Sequence, residues 1–212
     1  MMTRFAHSMT VAALLAASPA LADGQAWSIV GARTVETGAN ELDLSAGWPG
    51  ISASYLRGVV PGVNLGARVS FAYGVEGLVR AVVPGFTMQA LVKVRLLDAE
   101  RLSLGLVFEP GPFFHFPSAA LSRIGLALPI GLRVGIATSS ALSLAVLLDV
   151  PMWVEFGPSG GFNIPILTGL GLEYFATSNL GVFARLQVGP TITPSGLAEL
   201  TLDGRVGVAF HF

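Results

Sequence analysis

Ile124-Gly125-Leu126-Ala127-Leu128-Pro129-Ile130-Gly131-Leu132-Arg133-Val134-Gly135-Ile136 alternates from end to end. Every even position carries a large apolar residue, and the odd positions carry glycine, alanine, proline or arginine. A period of two belongs to a β-strand, whose successive side chains point to opposite faces. The stretch therefore has one wholly apolar face and one face of small or charged residues. The same split runs through 86–96, where Phe86, Met88, Ala90, Val92, Val94 and Leu96 oppose Thr87, Gln89, Leu91, Lys93 and Arg95. Further candidate strands are 65–73, 102–109, 142–150, 164–174, 180–189 and 199–212, with weaker ones at 41–48 and 51–60, ten in all.

Turn-forming runs separate these segments, and the connections alternate in length. Four-residue turns are expected at 61–64, 98–101, 138–141 and 176–179, and longer connections at 74–85, 109–123, 151–163 and 190–198. Pro49-Gly50 is the exception, a short link on the long-loop side, and it leaves eight or twelve strands open as counts. Pro129 and Pro165 cannot donate to a ladder, so a bulge or a strand end is expected at each.

Composition narrows the architecture. Only 12% of the residues are charged, about half the roughly 25% of a typical soluble domain, too few for a fully water-facing surface. After residue 22 no apolar run is long enough for a membrane-crossing helix, which needs about 20 residues. A closed barrel is the remaining membrane architecture, because its strands satisfy one another's backbone groups. The net charge is −1 and Lys and Arg form no cluster, so nothing points to nucleic acid. With no cysteine, and His115 and His211 the two histidines after residue 22, neither a metal nor any other cofactor is expected.

The last eight residues, Arg205-Val206-Gly207-Val208-Ala209-Phe210-His211-Phe212, end an alternating strand on a phenylalanine. Their pattern resembles the carboxy-terminal sorting signal of Gram-negative outer-membrane β-barrel proteins, with Arg205, Gly207, Phe210 and Phe212 filling its polar, glycine and two aromatic places. The resemblance implies an all-β, up-and-down antiparallel transmembrane β-barrel of about ten strands, with short periplasmic turns and longer outer loops. It also implies an outer-membrane location, contact with outer-membrane lipid and lipopolysaccharide, and dependence on periplasmic chaperones and the barrel-assembly machinery. Residues 1–22 fit an export signal: Arg4 in a short polar head, an apolar stretch over 11–21, and Ala20-Leu21-Ala22 before Asp23. The expected organisation is a signal peptide at 1–22, a periplasmic segment at 23–40 and a barrel at 41–212. Trp48, Phe71, Tyr73, Phe86, Phe108 and Trp153 collect at one expected rim, and Tyr174, Phe210 and Phe212 at the other, which resembles paired interfacial girdles.

With the polar face inward, the lumen charges are Arg68, Lys93, Arg95, Arg133, Arg185 and Arg205 against Glu41, Asp43, Glu109, Asp149, Glu173, Glu199 and Asp203. A barrel of eight to ten strands has a narrow interior that side chains fill, and buried charges are costly unless paired. The expectation is therefore a charge-paired lumen in a structural or interaction protein, or in a narrow pore. The inward glycines, among them Gly105, Gly125, Gly131, Gly135, Gly171, Gly181 and Gly207, leave room for long arginines or else for a channel or small-ligand pocket. Two other readings stay open. His115 near Glu109 and Ser118 supplies the residue types of a lipid hydrolase or acyltransferase. A secreted soluble barrel would instead turn its large residues inward around an apolar ligand.

Overall fold

A computed structural model describes residues 26–74, 83–118, 121–157, 160–192 and 198–212. Its strands are β1 (Asn40–Trp48), β2 (Gly50–Val60), β3 (Val63–Ala72), β4 (Gly85–Asp98), β5 (Leu102–Phe108), β6 (Gly111–Ser118), β7 (Leu121–Ala137), β8 (Leu142–Phe156), β9 (Phe162–Pro165), β10 (Leu167–Thr177), β11 (Leu180–Ile192) and β12 (Ala198–His211). Both β5 and β6 pair with β4 and β7, and both β9 and β10 pair with β8 and β11. Each of these couples is one stave in two pieces, so the wall is a closed antiparallel barrel of ten staves. Closure is between β1 and β12, from Glu41 opposite His211 to Trp48 opposite Gly204. Beyond it, Asn40 and Phe212 exchange backbone hydrogen bonds of 2.8 and 3.0 Å.

Prolines place the two breaks. Pro129 lies inside β7 and has no N–H to give its neighbour, and the neighbouring stave is interrupted opposite it, at Glu109-Pro110. The β7 carbonyl still serves: Glu109 N donates to Pro129 O at 2.9 Å. Pro165 ends β9, and the break there, at Ile166, faces Pro190 of β11, whose oxygen accepts from Ile166 N at 2.9 Å.

The connections expected at 109–123, 151–163 and 190–198 are largely strand. β6 and β7 pair up to Ser118 and Leu121, β8 continues to Phe156 and β11 to Ile192. Glycine and proline weaken the alternation in these stretches but leave enough backbone groups to carry the ladder past each proline. The connection at 73–84 is long as expected, and its residues 75–82 lie outside those described. At the opposite end, the connections are Pro61-Gly62, 99–101, 138–141 and 178–179. This is the turn end, and the other is the loop end.

The wall is apolar outside and polar inside. In β2, Ile51, Ala53 and Tyr55 are exposed while Ser52, Ser54 and Leu56 are buried. Leu170, Leu200 and Val206 are 66%, 67% and 61% exposed, whereas Glu173, Lys93 and Glu41 are 0%, 3% and 1%. A barrel with its large residues turned inward around an apolar ligand is thus ruled out by the side-chain phase. In β4 the expected phase is the observed one: Met88, Ala90 and Leu96 face out, and Leu91 and Lys93 face in.

Residues 27–35 lie across the inside of the turn end, with Trp27, Ser28, Val30, Ala32, Thr34 and Val35 buried there. Trp27 and Val35 form an apolar cluster with Phe175 and Ala209, with Ile29 and Ala39 packed against it.

Candidate functional site: the lumen and its plug

The plug, residues 27–35, is held by wall residues that the period-two pattern aims inward. From β10, Glu173 accepts Ser28 Oγ at 2.9 and 3.0 Å, Gly31 N at 2.8 Å and also Val30 N. From β4, Lys93 Nζ donates to Ser28 O at 2.5 Å. On β3, the side-chain amide of Asn64, oriented by its partners, accepts from Val35 N at 3.1 Å and donates to Val35 O at 3.3 Å. Arg33 reaches the rim, donating to Asp98 Oδ1 at 3.0 Å and to Glu100 O at 3.0 Å. Trp27 donates its indole N–H to Ser178 O at 3.0 Å, meets Phe175 edge-on at 5.1 Å and stacks on His211 at 5.3 Å.

Several inward glycines make room for this segment. A Cβ on Gly105 would stand 3.2 Å from Ala32 Cβ, one on Gly171 3.2 Å from Val30 Cγ2, and one on Gly181 2.8 Å from Ile29 Cδ1. At Gly58 a Cβ would fall 2.0 Å from Glu36 O. Here only glycine lets residues 36–39 cross the wall, where Thr37 makes an isolated bridge to Gly58. Other glycines clear space for side chains: Gly131 for the Arg133–Asp149 pair, and Gly125 and Gly207 for the rings of Phe113 and Phe183.

Above the plug, charged side chains meet in two pairs and one group of three. Arg68 Nη1 binds Glu109 Oε2 at 2.5 Å while its Nε donates to Ser54 Oγ at 2.8 Å. Arg133 pairs with Asp149, which also accepts Gln187 Nε2 at 2.8 Å. Asp203 lies between Arg185 at 3.3 Å and Arg205 at 3.1 Å, two arginines directly opposite one another in the β11–β12 register. Asp43 and Glu41 are buried beside this ladder and line a void with Lys93, Arg68 and Arg133.

Two of the inward charges read from the sequence keep that phase but lie near the two ends of the barrel. Arg95 sits at the register shift between Arg95 and Leu97 near the turn end and pairs with Asp98 at 2.7 Å. Glu199 is exposed at the loop-end mouth.

Toward the loop end the lumen becomes apolar, with Phe113, His115 and Trp153 around a void of about 50 Å³. The His115 ring lies 4.8 Å from Phe113. Glu109 is six residues away on the same stave, about 20 Å at 3.3 Å per residue, and its carboxylate is bound by Arg68. A Glu109–His115 acid–base pair is therefore not assembled, and the Ser118 side chain lies outside the described residues.

The plug contacts had no signal in the strand pattern. Trp27, Ile29, Val30 and Val35 follow neither period, and the bonds of Val30, Gly31 and Val35 are made by backbone groups. The surplus of inward glycine was the available clue.

No protein-family model matches the chain, and no curated protein matches it. Among solved structures, the outer membrane protease OmpT from Escherichia coli is similar over 82% of this chain and 93% of its own, with 9% identity and a TM-score of 0.46. The KdgM porin in complex with disordered oligogalacturonate is similar over 82% of this chain and 99% of its own, with 13% identity and a TM-score of 0.40. Neither score is high enough to carry an activity or a site over to this chain.

Proposed function

We propose that this chain is a Gram-negative outer-membrane barrel serving as a narrow pore that is closed at rest, with no chemistry of its own. The observation that carries the proposal is the inverted wall: apolar side chains such as Leu170 and Leu200 outside, and charged ones such as Glu173 and Arg133 inside, on a closed barrel. In water, such an exterior would expose an apolar surface far larger than soluble monomers carry. In lipid, it is the required surface, and the closed ladder leaves no strand edge unpaired. The charged interior would be costly if dry and unpaired, and here its charges meet partners on the same or nearby staves.

The turn end, with residues 27–35 inside it, faces the periplasm in this reading, and the loop end faces outward next to lipopolysaccharide. Residues 1–22 direct export, and β12, with Arg205, Gly207, Phe210 and Phe212, is the strand offered to the assembly machinery. The test is extraction and gel migration of the full chain from cell envelopes. Release only by detergent, with faster migration before boiling than after, is expected. Release in buffer alone would refute the membrane reading. A lipid hydrolysis that His115→Ala or Ser118→Ala abolishes would refute the assignment of a pore without chemistry.

A further inference from the structure

Three voids follow one another down the lumen. The loop-end void shares Ser70, Gln89 and Arg205 with a middle void of about 40 Å³. The middle void shares Arg68, Glu109, Arg133 and Arg185 with a third, of about 50 Å³, whose floor is Ile29, Val30 and Gly31 of the plug. Each has room for a few water molecules, and the two lower ones are lined by charged side chains that would hold them. On the far side of the plug, Arg33, Thr34 and Val35 border an open groove at the turn end, with Pro61 and Glu100. Residues 27–35 thus stand between a polar column and the turn-end mouth.

The attachment of the plug suits a removable part. Residues 27–35 add no strand to the barrel, and the chain meets the wall ladder just after them, at the Thr37–Gly58 bridge. The barrel closes through β1 and β12 without the plug. Its holds are side-chain contacts from Glu173, Lys93, Asn64 and Asp98 to individual plug groups, the bonds of Trp27 and Arg33 to Ser178 O and Glu100 O, and the packing of Trp27 and Val35 against Phe175 and Ala209. Water entering from either side can replace the polar holds one at a time, whereas a strand would have to be unpaired along its length.

We propose that residues 27–35 are a gate that undocks from Glu173 and Lys93 toward the turn end, joining the column to the mouth and opening a path for water and small inorganic ions. The proposal rests on the membrane-pore reading above, and it names the moving part.

The full chain contains no cysteine, so an engineered pair is free of background. A Cβ at Gly171 would lie 3.5 Å from Val30 Cβ, at the short edge of the disulfide range. Val30→Cys with Gly171→Cys should therefore oxidise to a bond that pins the plug to β10. The variant is inserted into planar bilayers in potassium chloride, and its heat-modifiable migration is checked in both redox states to establish that the barrel is intact. Expected are conductance steps in the parent chain and in the reduced variant, none in the oxidised variant, and their return on adding reductant. Equal conductance in both redox states would overturn the gate, since the path would not require release. No conductance in any state, from protein that migrates as a folded barrel, would also overturn it while leaving the membrane reading intact. Failure of the two thiols to join under oxidant would mean that the plug is not docked against β10, and the proposal would fall. Loss of heat-modifiable migration in the parent would refute the membrane reading instead.

Discussion

Asp203→Asn isolates the energetics of the lumen. Asp203 is buried between Arg185 and Arg205, with N–O separations of 3.3 and 3.1 Å, and the two arginines occupy directly opposed positions on β11 and β12. At an effective dielectric near 20, each ion pair at such a separation has a gross attraction of about 5 kcal/mol. Desolvation of the three groups offsets most of this, and removing one partner of a buried pair typically costs about 3–5 kcal/mol because the remaining charge is stranded. Asparagine keeps the shape and one acceptor, while two like charges are left facing each other across a strand pair, an arrangement destabilising in itself. The expected loss is therefore about 3 kcal/mol, the lower end of that range. It is read as the change in unfolding free energy from urea titration in lipid vesicles, followed by tryptophan fluorescence. Glu199→Gln is the internal control: Glu199 is exposed at the mouth, and its loss should stay within about 0.5 kcal/mol. If Asp203→Asn also stayed within that margin, the ladder would be a set of independently hydrated charges, and its place in the account would be lost.

The outer face and the plug make separate predictions. Leu170 stands in the outward row with Val146 and Leu186 on its neighbours; Leu170→Arg should cost about 2–4 kcal/mol near the bilayer midplane, measured by the same urea titration, and a neutral result would contradict lipid contact there. Trp27→Ala removes the indole that bonds Ser178 O and packs on Phe175 and His211; brief proteolysis from the turn-end side should then cut within 26–39 faster than in the parent while the barrel stays heat-modifiable, and an unchanged rate would show that Trp27 does not hold the plug.

Which face a side chain occupies was legible wherever the alternation is regular. Lys93, Arg133 and Asp203 each sit on the polar phase of a regular alternation, and all three are buried in the lumen. Arg95 keeps the phase of Lys93, opposite Gly105, and the period of two is interrupted only beyond it, at the register shift between Arg95 and Leu97. The strand ends at 111–118 and 151–156 were read as loop because proline and glycine are breakers locally, while an antiparallel ladder can carry on from neighbouring staves on both sides. The plug was the largest omission, for a related reason. Part of its recognition runs through Gly31 N, Val30 N, Val35 N and Ser28 O, backbone groups that carry no side-chain signature. What the chain did display was the complement, glycine at Gly105, Gly171 and Gly181 where the plug approaches, but a missing side chain does not say what fills its place.

The central claim is that the apolar face of this barrel meets lipid while its polar face is enclosed. It is tested most directly along β2, where burial alternates residue by residue and the cysteine-free chain permits single nitroxide labels. Labels at Ile51→Cys, Ala53→Cys and Tyr55→Cys in reconstituted bilayers should collide with oxygen and be shielded from a water-soluble nickel chelate. Labels at Ser52→Cys, Ser54→Cys and Leu56→Cys should be shielded from oxygen. Nickel access at 51, 53 and 55, or the absence of any alternation, would contradict the account.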